Sequence, residues 1–202
     1  MSSPHTPLQP RYEFPYYLLK IYVNSQDPIL LEKYRDAVSK RQQLIHTAQQ
    51  SWVKHHVPVH FDAGFDLFVP PESDAISNTA YAMTINHKVH ASMDHVYVDE
   101  HNDSCYFPTA YYIHPRSSLG TKTPWRLANS AGIIDSGYRG GLIGAFDHRG
   151  SALPSFHPPA YTRLLQICGP DLKHPIFPVL VNSLEELGHT ERGAGGFGST
   201  GV

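Results

Sequence analysis

Five short segments, each polar or rich in glycine, carry the residue types that could do chemistry in this chain. In Asp62-Ala63-Gly64-Phe65-Asp66-Leu67, period-two alternation puts both carboxylates on the face opposite the apolar one. Two acids there could bind a divalent cation, directly or through water, because hard cations prefer oxygen ligands. A solvated strand face explains the same pattern. His114-Pro115-Arg116-Ser117-Ser118-Leu119-Gly120 offers a guanidinium, two hydroxyls and backbone N–H groups close together, a set suited to phosphate oxygens, although an ordinary Ser-rich turn has the same composition. The run from Asn129 to Gly141 reads as a hairpin with Asp135 near its bend and Tyr138 three residues later. Such an acid could orient water and such a ring could pack a sugar, while a plain hairpin also accounts for the Asp and the glycines. In Arg163-Leu164-Leu165-Gln166-Ile167-Cys168, Gln166 interrupts an apolar strand, as a solvent-facing Gln also would. The fifth segment, Arg192-Gly193-Ala194-Gly195-Gly196-Phe197-Gly198-Ser199-Thr200-Gly201, contains the G-x-G-x-x-G pattern, but without the helix that a dinucleotide fold places after it, so no dinucleotide fold is expected. What remains is an arm with an Arg, an aromatic ring and many exposed N–H groups, able to close over a phosphorylated base.

These segments need strands to position them. Tyr16 to Val23 reads as a strand after a loose Pro- and Ser-rich tail at 1–15. Asp27 followed by Pro28 is a helix start, an Asx cap with Pro at the first helical position. Leu31, Val38, Ile45 and Trp52 recur every seventh residue, with Tyr34 and Ala48 between them, which predicts one amphipathic helix ending near His55 and packed on its own domain. From Val57 the period changes to two through Val59, Phe61, Ala63, Phe65, Leu67 and Val69. Further alternating runs fall at Tyr81 to Ile85, Val96 to Val98, Ala110 to His114, Leu142 to Phe146 and Arg163 to Cys168, with a late strand within Pro170 to Val181. Many short strands and one helix describe a sandwich or barrel-like β fold over 16–187, with a flexible glycine-rich arm at 188–202.

Composition narrows the function. The 202 residues fit one core. Lys and Arg number 16 against 18 Asp and Glu, so charge gives no reason to expect nucleic acid or an acidic membrane as partner. No apolar run approaches the roughly 18 residues that cross a bilayer. Cys105 and Cys168 are too few for a disulfide scaffold, which fits an intracellular, soluble protein of cytoplasm or nucleus.

Taken together and in order, the five segments resemble the five motifs of the homotrimeric dUTP pyrophosphatases, the dUTPases, over Phe61 to Val202. The resemblance implies a mainly β jelly-roll or β-clip barrel, a homotrimer, and active sites assembled at subunit interfaces. It implies hydrolysis of dUTP to dUMP and pyrophosphate with Mg2+, limiting uracil in DNA and supplying dUMP for dTTP synthesis. Asp135 would bind the deoxyribose hydroxyl and activate the water that attacks the α-phosphorus. Tyr138 would lie beneath the deoxyribose, and Asn129 with the backbone of Gly132 to Ile134 would read the uracil edge. Arg116, Ser117, Ser118 and Gln166 would hold the phosphate chain, and Asp66 would bind magnesium through water. From the arm, Phe197 would stack on uracil while Arg192, Gly198, Ser199 and Thr200 bind the outer phosphates. The pattern departs at Ser118, where Gly or Ala is common, at Tyr161-Thr162, where a Gly-Asp pair is usual, and at Gly141, where an acid or amide is frequent. The helix occupies a stretch where compact relatives have a short link, and could serve trimer contacts or a partner surface.

Two other functions share the fold: a dCTP deaminase, against which the fifth segment counts, and a non-catalytic interaction protein, which should have eroded Asp135, Tyr138 or the arm. A histidine metal site drawn from His55, His56, His60, His87, His90 and His95 lacks the H-E-x-x-H motif, so solvated histidines are the better account.

Overall fold

The computed structural model describes residues 14–55, 60–78, 82–148 and 158–195. In chain order its strands are β1 (Tyr16–Val23), β2 (Gly64–Phe68), β3 (Ile76–Asn78), β4 (Met83–Asn86), β5 (Val89–Val98), β6 (Ser104–Pro108), β7 (Tyr111–Pro115), β8 (Trp125–Leu127), β9 (Gly132–Ile134), β10 (Ile143–His148), β11 (Arg163–Cys168) and β12 (Ile176–Leu180). They form three four-stranded sheets, ordered β12-β1-β5-β6, β3-β4-β10-β8 and β2-β11-β7-β9. The long helix α1 (Pro28–His55) lies between β1 and β2, and the one-turn α2 (Leu119–Lys122) follows β7. The expected mainly β, barrel-like architecture with one inserted helix is the one observed.

One apolar core joins all three sheets. Tyr17, Leu19, Ile21 and Val23 of β1 enter it with Phe65 and Leu67 of β2, Ile113 of β7, Phe146 of β10 and Leu165 of β11. The opposite face of β1 is also covered: Tyr16 and Leu18 form a smaller cluster with Ile45, Val96 and Phe177. A strand buried on both faces has no reason to alternate apolar with polar, which is why β1 reads as a nearly continuous apolar run. It pairs in parallel with β12 and antiparallel with β5.

The helix starts as its sequence demands. Asp27 Oδ1 accepts the Leu30 N–H at 2.6 Å, satisfying one of the free donors of the first turn, and Pro28 holds the next position. Its buried stripe is Leu30, Tyr34, Val38, Ile45 and Ala48. Leu31 is only partly buried and Trp52 is exposed, so the seven-residue spacing named two edge positions of the stripe and passed over Leu30. The helix is anchored at both levels. Gln42 Nε2 donates to the Pro178 carbonyl of β12, and the Tyr34 hydroxyl accepts the Phe68 N–H at 3.1 Å with its ring edge-on to Phe68.

Phe68 closes the end of β2 with a second side-chain partner, since its carbonyl accepts the His87 Nδ1–H at 3.0 Å. That bond fixes the neutral tautomer. His87 is fully buried, and desolvation pushes its pKa down to about 4. Unfolding frees the imidazole to titrate near its ordinary value, so between those two limits the unfolded chain binds the extra proton and the folded chain does not. Among the described residues no helix is long and apolar enough to cross a membrane.

Folding stability is therefore expected to be full above about pH 6.5 and to fall as the pH drops towards 4. Urea titrations of the wild type and a His87→Asn variant across that window check this. The wild type should lose stability with acid and the variant should be flatter.

Candidate functional site

The described candidate residues gather around two cavities. The first is built by the turn after β8 and by the hairpin that follows β9. β8 is fixed on β10 by the pairs Phe146↔Leu127 and His148↔Trp125, and β9 on β7 by Ile113↔Gly132 and Tyr111↔Ile134. Between them Ser130 adopts a left-handed φ of 60°, with its N–H on the Leu127 carbonyl. After β9 a tight turn is closed by the Tyr138 N–H on the Asp135 carbonyl at 3.0 Å. The Tyr138 ring folds back over Gly140, where a Cβ would lie 2.3 Å from the phenolic oxygen, and its hydroxyl donates to the Gly141 carbonyl. Only glycine fits at 140. Burial pushes the Tyr138 phenol above its usual range, with Arg192 opposing, so the hydroxyl stays a donor.

The resulting cavity, about 240 Å³, is lined by Asn129, Gly132, Ile134, Asp135, Tyr138 and Arg192 among others. It presents backbone edges, one carboxylate and one ring, a set able to take a planar, hydrogen-bonding ligand with a sugar attached. Asp135 is half exposed and pairs through Oδ2 with Arg192 Nη1 at 2.6 Å. The segment carrying Arg192 is stitched to the same hairpin. The Arg139 N–H donates to the Gly193 carbonyl, its guanidinium donates to the carbonyls of Leu187, Gly188, Ser136 and Tyr138, and Thr190 Oγ1 donates to the Gly137 carbonyl. Phe197, Gly198, Ser199 and Thr200 lie outside the described residues.

The second cavity, about 490 Å³, opens along β2, beside the end of β7 and the start of β11. Asp66 of β2, Arg116 just past β7, and Arg163 and Gln166 of β11 line it. Asp66 Oδ2 accepts Arg116 Nη1 at 2.5 Å and Arg163 Nη1 at 3.0 Å. Register places Gln166 opposite Asp66 on one side and His114 on the other, and its Nε2 reaches the Pro115 carbonyl at 3.4 Å. Gly64 allows this packing, because a Cβ there would lie 2.2 Å from Gln166 Oε1. The remaining wall comes from α1 through Ala37, Lys40, Arg41 and Leu44.

Asp66, Arg116 and Gln166 thus meet in the second cavity, and Asn129, Gly132, Ile134, Asp135, Tyr138 and Arg192 in the first. Ser117 and Ser118 line neither and sit in the turn that starts α2. Three basic residues of the second cavity, Lys40, Arg41 and Arg163, have no role in the sequence reading. Arg163 opens the fourth segment and so carried a signal. The helix residues did not, since only tertiary packing brings them there. Among the described residues no group of three or more His, Cys, Asp or Glu side chains is arranged to hold a metal. Asp66 Oδ1, whose sister oxygen takes both guanidiniums, can accept hydrogen bonds from the waters of a hydrated cation.

Gly64→Ala is expected to expel Gln166 from its place between Asp66 and Pro115 and to lower the thermal midpoint by several degrees. A crystal structure of the variant and a melting curve check both effects.

No protein-family model matches the chain. It is similar to curated deoxyuridine 5'-triphosphate nucleotidohydrolases. Identity to that of Bordetella avium is 42% over 92 residues, covering 46% of this chain and 58% of the relative. The Polynucleobacter necessarius protein matches at 41% over 92 residues, again with 46% and 58% covered. The Burkholderia mallei protein matches at 36% over 110 residues, covering 49% of this chain and 70% of the relative. The chain thus spans a little over half the length of the first two relatives and more than two thirds of the third. With that coverage, and a β architecture that brings the motif-bearing strand ends to two cavities, the chain belongs to the deoxyuridine 5'-triphosphate nucleotidohydrolase family.

Proposed function

We propose that the chain hydrolyses dUTP to dUMP and pyrophosphate. The observation that carries this reading is the hairpin cavity, in which one half-exposed carboxylate and one phenol ring stand beside a backbone edge. The edge of Gly132 to Ile134 and the Asn129 amide would hydrogen-bond the uracil, and the narrow hairpin would reject the methyl group of thymine by contact. Tyr138 would lie under the deoxyribose, leaving no room for a ribose hydroxyl. Asp135 would accept a hydrogen bond from the sugar hydroxyl and orient a water against the α-phosphorus. As the water oxygen bonds to that phosphorus, its proton passes to Asp135, and the bond to the bridging oxygen breaks to release pyrophosphate.

In the second cavity Arg116 and Gln166, with Ser117 and Ser118 in the adjoining turn, would hold the phosphates. Asp66 would keep a hydrated Mg2+ near them through Oδ1, and the ion when bound would offset negative charge on the departing pyrophosphate. Arg192 would exchange the Asp135 carboxylate for the outer phosphates, and Phe197, Gly198, Ser199 and Thr200 would complete that contact. Among the described residues the two cavities share no lining residue. The family resemblance leads us to infer a homotrimer in which one copy would bring the hairpin and another the phosphate pocket to a common site. The protein would act inside the cell, keeping uracil out of DNA and supplying dUMP.

Asp135→Asn is expected to lower turnover of dUTP at least a thousandfold while leaving affinity for a non-hydrolysable dUTP analogue within a few fold. Pyrophosphate release and calorimetric titration check the two halves. Retained turnover, or release of ammonia from dCTP in place of pyrophosphate from dUTP, would overturn the reading.

A further inference from the structure

The helix inserted between β1 and β2 enters the phosphate pocket. Ala37, Lys40, Arg41 and Leu44 fall on one face at three- and four-residue spacing and form one wall of the second cavity. Arg41 is tied down. Its Nη1 donates to the Asp62 carbonyl at 2.8 Å and its Nη2 to the Gly64 carbonyl at 2.7 Å, while the Asp62 carboxylate stands 3.7 Å away. One guanidinium therefore fixes the backbone that leads into β2, two residues ahead of Asp66. Arg116 and Arg163 are likewise committed to Asp66. Lys40 differs: it is exposed, and among the described residues it has no ion-pair partner.

The cavity thus holds four cationic side chains against the carboxylates of Asp62 and Asp66, on a chain whose formal net charge is -2. An excess of positive charge concentrated at one concave site of an otherwise slightly acidic protein fits a small polyanion. We propose that α1 is part of the phosphate site, with Lys40 contacting the terminal phosphate of the nucleotide and Arg41 acting as a positioning residue for the strand that carries Asp66. This rests on the dUTP reading above. An ammonium on a flexible four-carbon stem suits the outermost phosphate, the part of the chain least fixed by the nucleoside, whereas a guanidinium fork suits two rigid carbonyls. Lys40 would then distinguish triphosphates from diphosphates.

The test uses Lys40→Met and Lys40→Arg in the full chain. Lys40 is exposed, so neither change should unfold the protein. Expected for Lys40→Met is a KM for dUTP raised about tenfold with kcat within about twofold, and an affinity for dUDP that is unchanged. Lys40→Arg should recover most of the loss. Inorganic tripolyphosphate, titrated by calorimetry, should bind the wild type about tenfold more tightly than Lys40→Met. An unchanged KM with unchanged tripolyphosphate affinity would overturn the proposal, as would equal losses for dUTP and dUDP. Should the wild type leave dUTP uncleaved, the functional reading fails, and the tripolyphosphate comparison still decides whether Lys40 contacts phosphate.

Discussion

Two guanidiniums meet on a single carboxylate oxygen, Asp66 Oδ2, and the larger of the two cavities is arranged around that meeting. Arg116 comes from the end of β7 and Arg163 from the start of β11, while Asp66 stands in β2, so one oxygen ties together three strands of one sheet. The shared carboxylate offsets the repulsion between two cations that it holds close together. Removing the acid would leave Arg116 and Arg163 facing each other across the cavity. The interaction is therefore a clasp between strands that also concentrates positive charge near the surface.

The other cavity follows a parallel logic with fewer partners. Asp135 is held by Arg192, and the stretch bearing Arg192 is sewn to the hairpin through Arg139, whose guanidinium collects carbonyls from both sides of the turn. In each cavity an acid pairs with an arginine brought from a different part of the chain. The hairpin itself is set by contact rather than charge, with the Tyr138 ring occupying the space that a side chain at 140 would need.

Much of the architecture is visible in the sequence where one physical rule acts alone. β1 is bounded at Tyr16 and Val23 by its unbroken apolar run, and α1 starts at Pro28 because the Asp27 cap and the proline agree. The strands β3, β6 and β8 carry no such mark, since Ile76–Asn78 and Trp125–Leu127 are too short for a period to show, and Ser104–Pro108 is an edge strand with Tyr106 and Phe107 left exposed. At the site, residues within one local turn, such as Asp135 and Tyr138, were readable from their spacing. Lys40 and Arg41 were not, because nothing in a helical repeat tells which polar face will come to rest against a strand end more than twenty positions away.

The parallel pairing of β1 with β12 sets Tyr17 beside Ile176 and Ile21 beside Leu180, so the first described strand takes the last described strand as a neighbour. Until β12 arrives, one edge of β1 stays open and its row of amide and carbonyl groups stays unmatched. Pairing across so long a sequence separation slows folding. A chain interrupted before 176 would keep that edge bare, a template on which other chains could pair.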